Sequence, residues 1–186
     1  MLLLLLLLLL FLDGTRHASV QVVRGWVAGA AVQSLPDVPD EALLAPHVHE
    51  PLEAALSGTA PGTLRVLCDA IVLNSTATLD AAEGGGVVDN GNRTETALLR
   101  FAAGLGADAA AERARADVVA ALPFSSERKR MATVVRRSAG GDAQDGRLTV
   151  YVKGAAEVRF ACMAELRLSR RLCDGECRRG SGCMHV

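Results

Sequence analysis

Extended and helical patterns alternate along this chain in a way that suits an α/β (α+β) fold, an antiparallel sheet with helices packed on it. Three observations carry that expectation. Val118 to Leu122 and Met131 to Val135 are two extended runs joined by a short polar connection, which reads as strand, turn, strand. Leu148-Thr149-Val150-Tyr151-Val152-Lys153 alternates cleanly as a further strand. Leu64, Leu67, Cys68, Ile71 and Val72, and later Ala97, Leu98, Phe101 and Leu105, recur at helical spacing. With 186 residues of which 50% are hydrophobic, the chain can bury a substantial core as one domain. Aromatics are only 3%, so Ala, Val and Leu must build that core. A net charge of −1 gives no general case for a nucleic-acid partner.

Met1 is followed by nine leucines, Phe11 and Leu12, a run too short to cross a bilayer. A wrongly assigned start produces low complexity of this kind; a secretory signal peptide is the second expectation, although no charged n-region precedes the run. Val20 to Val27 is a strand candidate ended by Gly29. Ser34 to Pro61 holds five of the six prolines and predicts an irregular connection with at most one short helix, around Leu52 to Leu56. His47 and His49 within it are expected in a solvated loop.

Thr63 is the expected N-cap of the first long helix, which continues to about Asn74. Glu83-Gly84-Gly85-Gly86 reads as a flexible turn and not as a phosphate loop, because no GxxxxGK[ST] pattern accompanies it. Asn92 begins the second long helix, and Glu95 stands where it can close a capping box. Gly104 and Gly106 end that helix, and Asp108 to Ala116 is Ala-rich and helical in expectation.

Five cysteines, at positions 68, 162, 173, 177 and 183, do not indicate a disulfide scaffold. Cys68 and Cys162 fall in predicted helices as small core residues, and the tail spacing lacks the paired CxxC of a zinc site, so no metal centre is expected.

The chemistry is expected at the turn Leu122-Pro123-Phe124-Ser125-Ser126-Glu127-Arg128-Lys129-Arg130-Met131. A Phe beside Lys and Arg suits a planar anionic ligand, since the ring offers a stacking face and the cations answer phosphate. Gly154 permits close backbone approach after the last strand, whose Lys153 is directed away from the more apolar Leu148, Val150, Val152 face. Ala155 to Leu166 resumes helical spacing.

Thr94-Glu95-Thr96-Ala97-Leu98, then Pro123-Phe124-Ser125-Ser126-Glu127-Arg128-Lys129-Arg130-Met131, then Val152-Lys153-Gly154-Ala155-Ala156-Glu157, in this order, resemble the nucleotide-binding domain of P-type cation-transporting ATPases, especially the calmodulin-regulated or autoinhibited calcium pumps. Val20-Gln21-Val22-Val23-Arg24-Gly25-Trp26-Val27 resembles the strand with which those pumps leave their phosphorylation domain. The resemblance implies that Phe124 stacks on adenine and that Glu95 accepts from its amino group. It further implies that Lys129 approaches the α-phosphate and that Met131, Lys153 and Gly154 line the pocket. Many members of the family carry Arg two residues after the Phe, where Ser126 stands here.

The implied ligand is ATP, with magnesium in the intact pump, and the implied partners are the phosphorylation and membrane domains. The aspartate motif DKTGTLT does not occur in the chain, so no catalytic residue is assigned and no hydrolysis is expected. The implied place is the cytosolic side of a membrane pump, where the formal sequons at Asn74 and Asn92 are not glycosylated. Expected organisation is a leucine-rich segment over residues 1–18, the nucleotide-binding domain over 19–166, and an Arg/Cys-rich, disordered tail over 167–186. Alternatives are a secreted or membrane-anchored non-catalytic domain and a regulatory ATP-binding fragment.

Overall fold

The structure, a computed structural model, describes residues 2–4, 11–13, 21–27, 30–32, 35–43, 48–83, 86–136 and 148–154. Nine strands and five helices are assigned among them. In chain order these are β1 (Leu2–Leu4), β2 (Phe11–Asp13), β3 (Gln21–Val27), β4 (Ala30–Val32), α1 (Asp40–Leu43), α2 (Glu50–Ala55) and α3 (Pro61–Leu73). There follow β5 (Thr78–Ala81), β6 (Val87–Asn90), α4 (Arg93–Gly104), α5 (Ala109–Arg115), β7 (Asp117–Ser125), β8 (Arg130–Arg136) and β9 (Leu148–Gly154).

The α+β class holds. The largest sheet has the order β1-β9-β8-β7, in which β7, β8 and β9 run antiparallel and β1 joins β9 in parallel. Two smaller antiparallel sheets, β2-β3-β4 and β5-β6, complete the set. Residues 2–4 of the leucine run form β1.

The hairpin forms where the β-branched runs predict it, with one difference. Pro123 does not end the first strand, which continues to Ser125. Because β7 is the last strand in the sheet order, a residue without an N–H can face away from the ladder, and the register shifts between Leu122 and Ser125 to absorb it.

On β9 the buried face is the opposite of the one that hydropathy suggests. Tyr151 is fully buried and Thr149 nearly so, whereas Leu148, Val150 and Val152 are partly exposed. Met131, Thr133 and Val135 of β8 are buried with them, and α3 packs against β9. Lys153, in alternation with Tyr151, therefore belongs to the covered side of the sheet.

Helix α3 starts three residues earlier than an N-cap at Thr63 implies. Pro61, with its fixed φ and its absent N–H, occupies the first turn, and Ala60 is the N-cap with no side-chain cap. Leu67, Ile71 and Val72 of α3 join Leu98, Leu99, Phe101 and Ala102 of α4 in one apolar cluster. Val22 and Val27 of β3 and Leu52 and Leu56 at α2 belong to the same cluster. Cys68 is buried among them as a free thiol, and burial followed by the charges of Asp69 and Glu112 pushes it up to about 12.

The proline-rich segment contains two short helices, α1 and α2, instead of one. His49 is not in a solvated loop: it is half-buried before α2, and its N–H donates to the Gly104 carbonyl at 2.8 Å. Asp40 at the start of α1 accepts from Arg100 of α4 at 2.6 Å, and Asp89 of β6 accepts from the same guanidinium at 3.0 Å. That one arginine pins α1 and the β5-β6 hairpin to α4.

The capping expectation at Asn92 holds in part. Its side chain accepts from the Thr94 N–H at 2.8 Å, but the Glu95 carboxylate turns to a different segment. Among the described residues no helix is long and apolar enough to cross a membrane, and no group of three or more His, Cys, Asp or Glu is placed to hold a metal ion. His47, Cys162, the loop over 138–146, the helix expected after Gly154 and the tail over 167–186 lie outside the described residues.

Candidate functional site

Three strands and one helix start converge at the end of the β7-β8-β9 sheet. Met131 and Lys153 are direct register partners, and the shift between Leu122 and Ser125 sets Pro123 and Phe124 beside them on the next strand. Phe124 is 60% exposed, although it is one of the few aromatic side chains in the protein. A ring left in water at a point where the sheet register is broken is not serving the core.

The turn from Ser126 to Lys129 is tight. Lys129 has a positive φ of 48°, and its N–H donates to the Ser125 carbonyl at 2.8 Å. Arg128 folds back instead of reaching outward: its side chain donates to Ser125 Oγ at 3.0 Å and to the Pro123 carbonyl at 2.9 Å. Gly154 lies against this turn, since a Cβ there would stand 2.5 Å from the Lys129 carbonyl oxygen and 2.9 Å from Arg130 Cβ. The close approach expected at Gly154 is thus an approach of the hairpin backbone.

Lys153 Nζ meets Glu95 Oε1 at 2.6 Å and Ser75 Oγ at 3.2 Å. The second carboxylate oxygen, Oε2, accepts from the Thr76 N–H at 2.7 Å, the Ala77 N–H at 2.9 Å and the Thr76 hydroxyl at 3.0 Å. Taking two charges from water is costly, and such a pair persists only where further hydrogen bonds satisfy its remaining atoms. Here the carboxylate has four donors.

Burial raises the Glu95 carboxyl, but the Lys153 hydrogen bond and charge, with the amides of Ala77 and Thr76, outweigh it and hold the group below its usual range. Burial lowers the Lys153 ammonium, Glu95 opposes that, and the nearby charge of Arg113 adds to the lowering. Its net direction is down. Glu95 thus remains ionised through neutral pH, facing a lysine that is easier to deprotonate than one in water.

The sheet register and this ion pair bring the residues singled out from sequence to one end of the fold. Glu95 and Met131 are buried and Lys153 is half-buried, whereas Phe124 and Lys129 are exposed. Sequence reasoning missed the segment Asn74 to Ala77, in which the Thr76 and Ala77 amides and the Thr76 hydroxyl hold the carboxylate and the Ser75 hydroxyl accepts from Lys153. It also missed Arg113, whose guanidinium donates to the Val72, Ser75 and Ala77 carbonyls at 3.1, 3.0 and 2.9 Å. An arginine in an Ala-rich helix gives no local sign of such contacts. Asn74 itself is buried and accepts from Thr133 Oγ1 at 3.0 Å, so in the folded chain its sequon is out of reach.

Residues 63–168 match the family model described as P-type ATPase, cytoplasmic domain N. Calcium-transporting ATPase 2 of Cryptococcus neoformans is 41% identical over 105 residues, which is 55% of this chain and 7% of that protein. Calcium-transporting ATPase 9, plasma membrane-type, of Arabidopsis thaliana is 31% identical over 110 residues, 59% of this chain and 10% of that protein. Calcium-transporting ATPase PAT1 of Dictyostelium discoideum is 37% identical over 93 residues, 50% of this chain and 8% of that protein. The match spans a tenth or less of the length of these relatives. With the family model covering more than half of its residues, and with the α+β fold on which that match falls, the chain belongs to the family of P-type ATPase cytoplasmic N domains.

Proposed function

We propose that this chain is the ATP-binding domain of a P-type calcium-transporting ATPase and that the end of the β7-β8-β9 sheet is its adenine pocket. The observation that carries the proposal is the meeting of Lys153 with Glu95. Two residues from separate motifs, 58 positions apart, share a 2.6 Å contact, and the sheet register sets Lys153 across β8 from the stretch of β7 that carries the exposed Phe124. Phe124 supplies the stacking face, Met131 the apolar floor, and Glu95 the acceptor for the exocyclic amino group of the base. Lys153 and Gly154 line the other side.

These residues fit the base end of ATP better than its phosphates. Lys129 in the turn is the cation for the α-phosphate, Arg128 is already committed to Ser125 and Pro123, and Ser126 supplies no charge. Affinity is therefore expected in the millimolar range, about 4 kcal/mol of binding free energy. In an intact pump the phosphorylation domain contributes the acceptor aspartate and, with magnesium, the remaining phosphate contacts, and the membrane domain carries the ion. This domain would sit on the cytosolic side.

We propose further that the nucleotide-binding domain covers 19–166, between the leucine-rich segment, whose strands β1 and β2 pair onto it, and the Arg/Cys-rich tail. At the N-terminal side this is supported by Val22 and Val27 of β3, which share a core with α3 and α4. Labelling with a lysine-directed reagent tests the pocket. Lys153 is expected to react faster than exposed lysines, with millimolar ATP protecting it; labelling indifferent to ATP would remove Lys153 from the pocket.

A further inference from the structure

Glu95 can discriminate a base only if its carboxylate is held, and its own helix does not hold it. The side chain leaves the first turn of α4 and is fixed by the amides of Thr76 and Ala77, which belong to the segment between α3 and β5. That segment follows a helix end whose last carbonyls have no partner within the helix. Its backbone has no ladder of its own until β5 begins at Thr78.

The missing donors come from α5. The Nε of Arg113 donates to the Val72 carbonyl in the last turn of α3, and one terminal nitrogen, Nη2, donates to both the Ser75 and Ala77 carbonyls. One planar guanidinium therefore spans the whole segment. The residues it holds on their carbonyl side are those that present Thr76 N–H, Ala77 N–H and Ser75 Oγ to the Glu95 and Lys153 pair on the other. On the sheet side, Asn74 is tied to Thr133. Arg113 lies in a seven-residue helix with no fully buried residue, in which Ala109 alone is among the apolar residues resting against the core.

Building on the pocket proposed above, we propose that Arg113 is a positioning residue for base recognition: it holds the Asn74–Ala77 segment in the one arrangement that aims the Glu95 carboxylate. It touches neither the base nor Glu95 by hydrogen bond, and acts through three backbone carbonyls. Its positive charge also lowers the Lys153 ammonium, and the Glu95 charge in turn raises the Arg113 guanidinium against its own burial. A lysine at this position keeps the charge but lacks the planar fork that spans three acceptors.

The test uses the full chain and Arg113→Lys, with two readouts. The first needs no ligand: in an acid titration followed by NMR, the Thr76 and Ala77 amide protons of the unmodified chain are expected to shift with the ionisation of Glu95. In Arg113→Lys they are expected to lose most of that response, while the amides of Leu99 and Tyr151 stay as they were. The second is the ratio of ATP to GTP affinity, since a held carboxylate favours an amino group over a carbonyl oxygen at that position of the base. The ratio is expected to fall about three- to tenfold in the variant, the size of one hydrogen bond, whereas Phe124→Ala weakens both nucleotides alike.

An unchanged amide response overturns the proposal. So does a lower melting temperature with both readouts intact, which is what a merely structural arginine would give. If Arg113→Lys does not fold, Arg113→Gln, which keeps a donor for one carbonyl, is measured in the same two ways. A chain with no preference for ATP over GTP contradicts the pocket proposal instead, and the amide response then decides the part played by Arg113.

Discussion

Lys153, at the end of β9, and Glu95, in the first turn of α4, meet at 2.6 Å across 58 residues of sequence. The contact joins the large sheet to the helical layer at the point where the hairpin turn also arrives, so its consequences reach both stability and binding.

Acid should weaken the fold through this contact. Glu95 lies below its ordinary 4.5 in the folded chain, so its stabilisation is fully present above 4.5 and is lost as pH falls below that value through the depressed folded one. Asp40, held below its ordinary 3.8 chiefly by the Arg100 hydrogen bond, acts in the same direction at lower pH. Thermal melts from neutral pH downward should show this decline. Glu95→Gln should start less stable, because Lys153 loses its counter-charge, and decline less steeply on acidification. An equally steep decline in Glu95→Gln would contradict the assignment.

Gly154→Ala should destabilise the chain by about 1–3 kcal/mol, the usual cost of forcing atoms into a packed place. The added Cβ would meet backbone, the Lys129 carbonyl oxygen at 2.5 Å, and backbone cannot swing aside as a long side chain can. Urea unfolding measures the loss, and a variant as stable as the parent would mean that the turn is looser than described.

Asn74→Ala should cost about 1–3 kcal/mol, because it strands the buried Thr133 hydroxyl without its acceptor. Asn74→Ala with Thr133→Val, which removes both polar groups, should recover part of that loss. Failure of the second substitution to recover any stability would show that the hydrogen bond is not the source of the cost.

Much of the fold was legible because the hydrophobic periods are strong where the core is. The α4 face and the β7-β8 hairpin follow from the spacing of apolar residues, and Asn92 announces its helix. The face of β9 was not legible. Leu148, Val150 and Val152 are more apolar than Thr149 and Tyr151, yet the latter are buried, because α3 and the Asn74 side chain offer that face both packing and a hydrogen bond through neighbouring Thr133. Pro123 misled for a related reason: it breaks a central strand but not the last strand of a sheet. Of the candidate site, the motif residues could be named from sequence, whereas the Asn74–Ala77 segment and Arg113 could not. Their part is played by backbone amides and carbonyls, which carry no residue-type signature.

Phe124→Ala separates binding from folding. The ring is mostly exposed, so stability should change by less than about 0.5 kcal/mol. If it is the stacking face, ATP affinity should fall by about 1–3 kcal/mol. Calorimetric titration beside a thermal melt checks both, and an unchanged affinity would leave the ring without a role in the pocket.

Titration of the full chain with ATP, followed by NMR at Phe124, Lys153 and the Thr76 and Ala77 amides, tests the nucleotide pocket most directly. The expected result is a saturable shift at all of these positions with one dissociation constant, on the order of millimolar, and no release of phosphate. No saturable shift at any of them, or shifts confined to residues far from the end of the β7-β8-β9 sheet, would contradict the assignment of this surface to ATP.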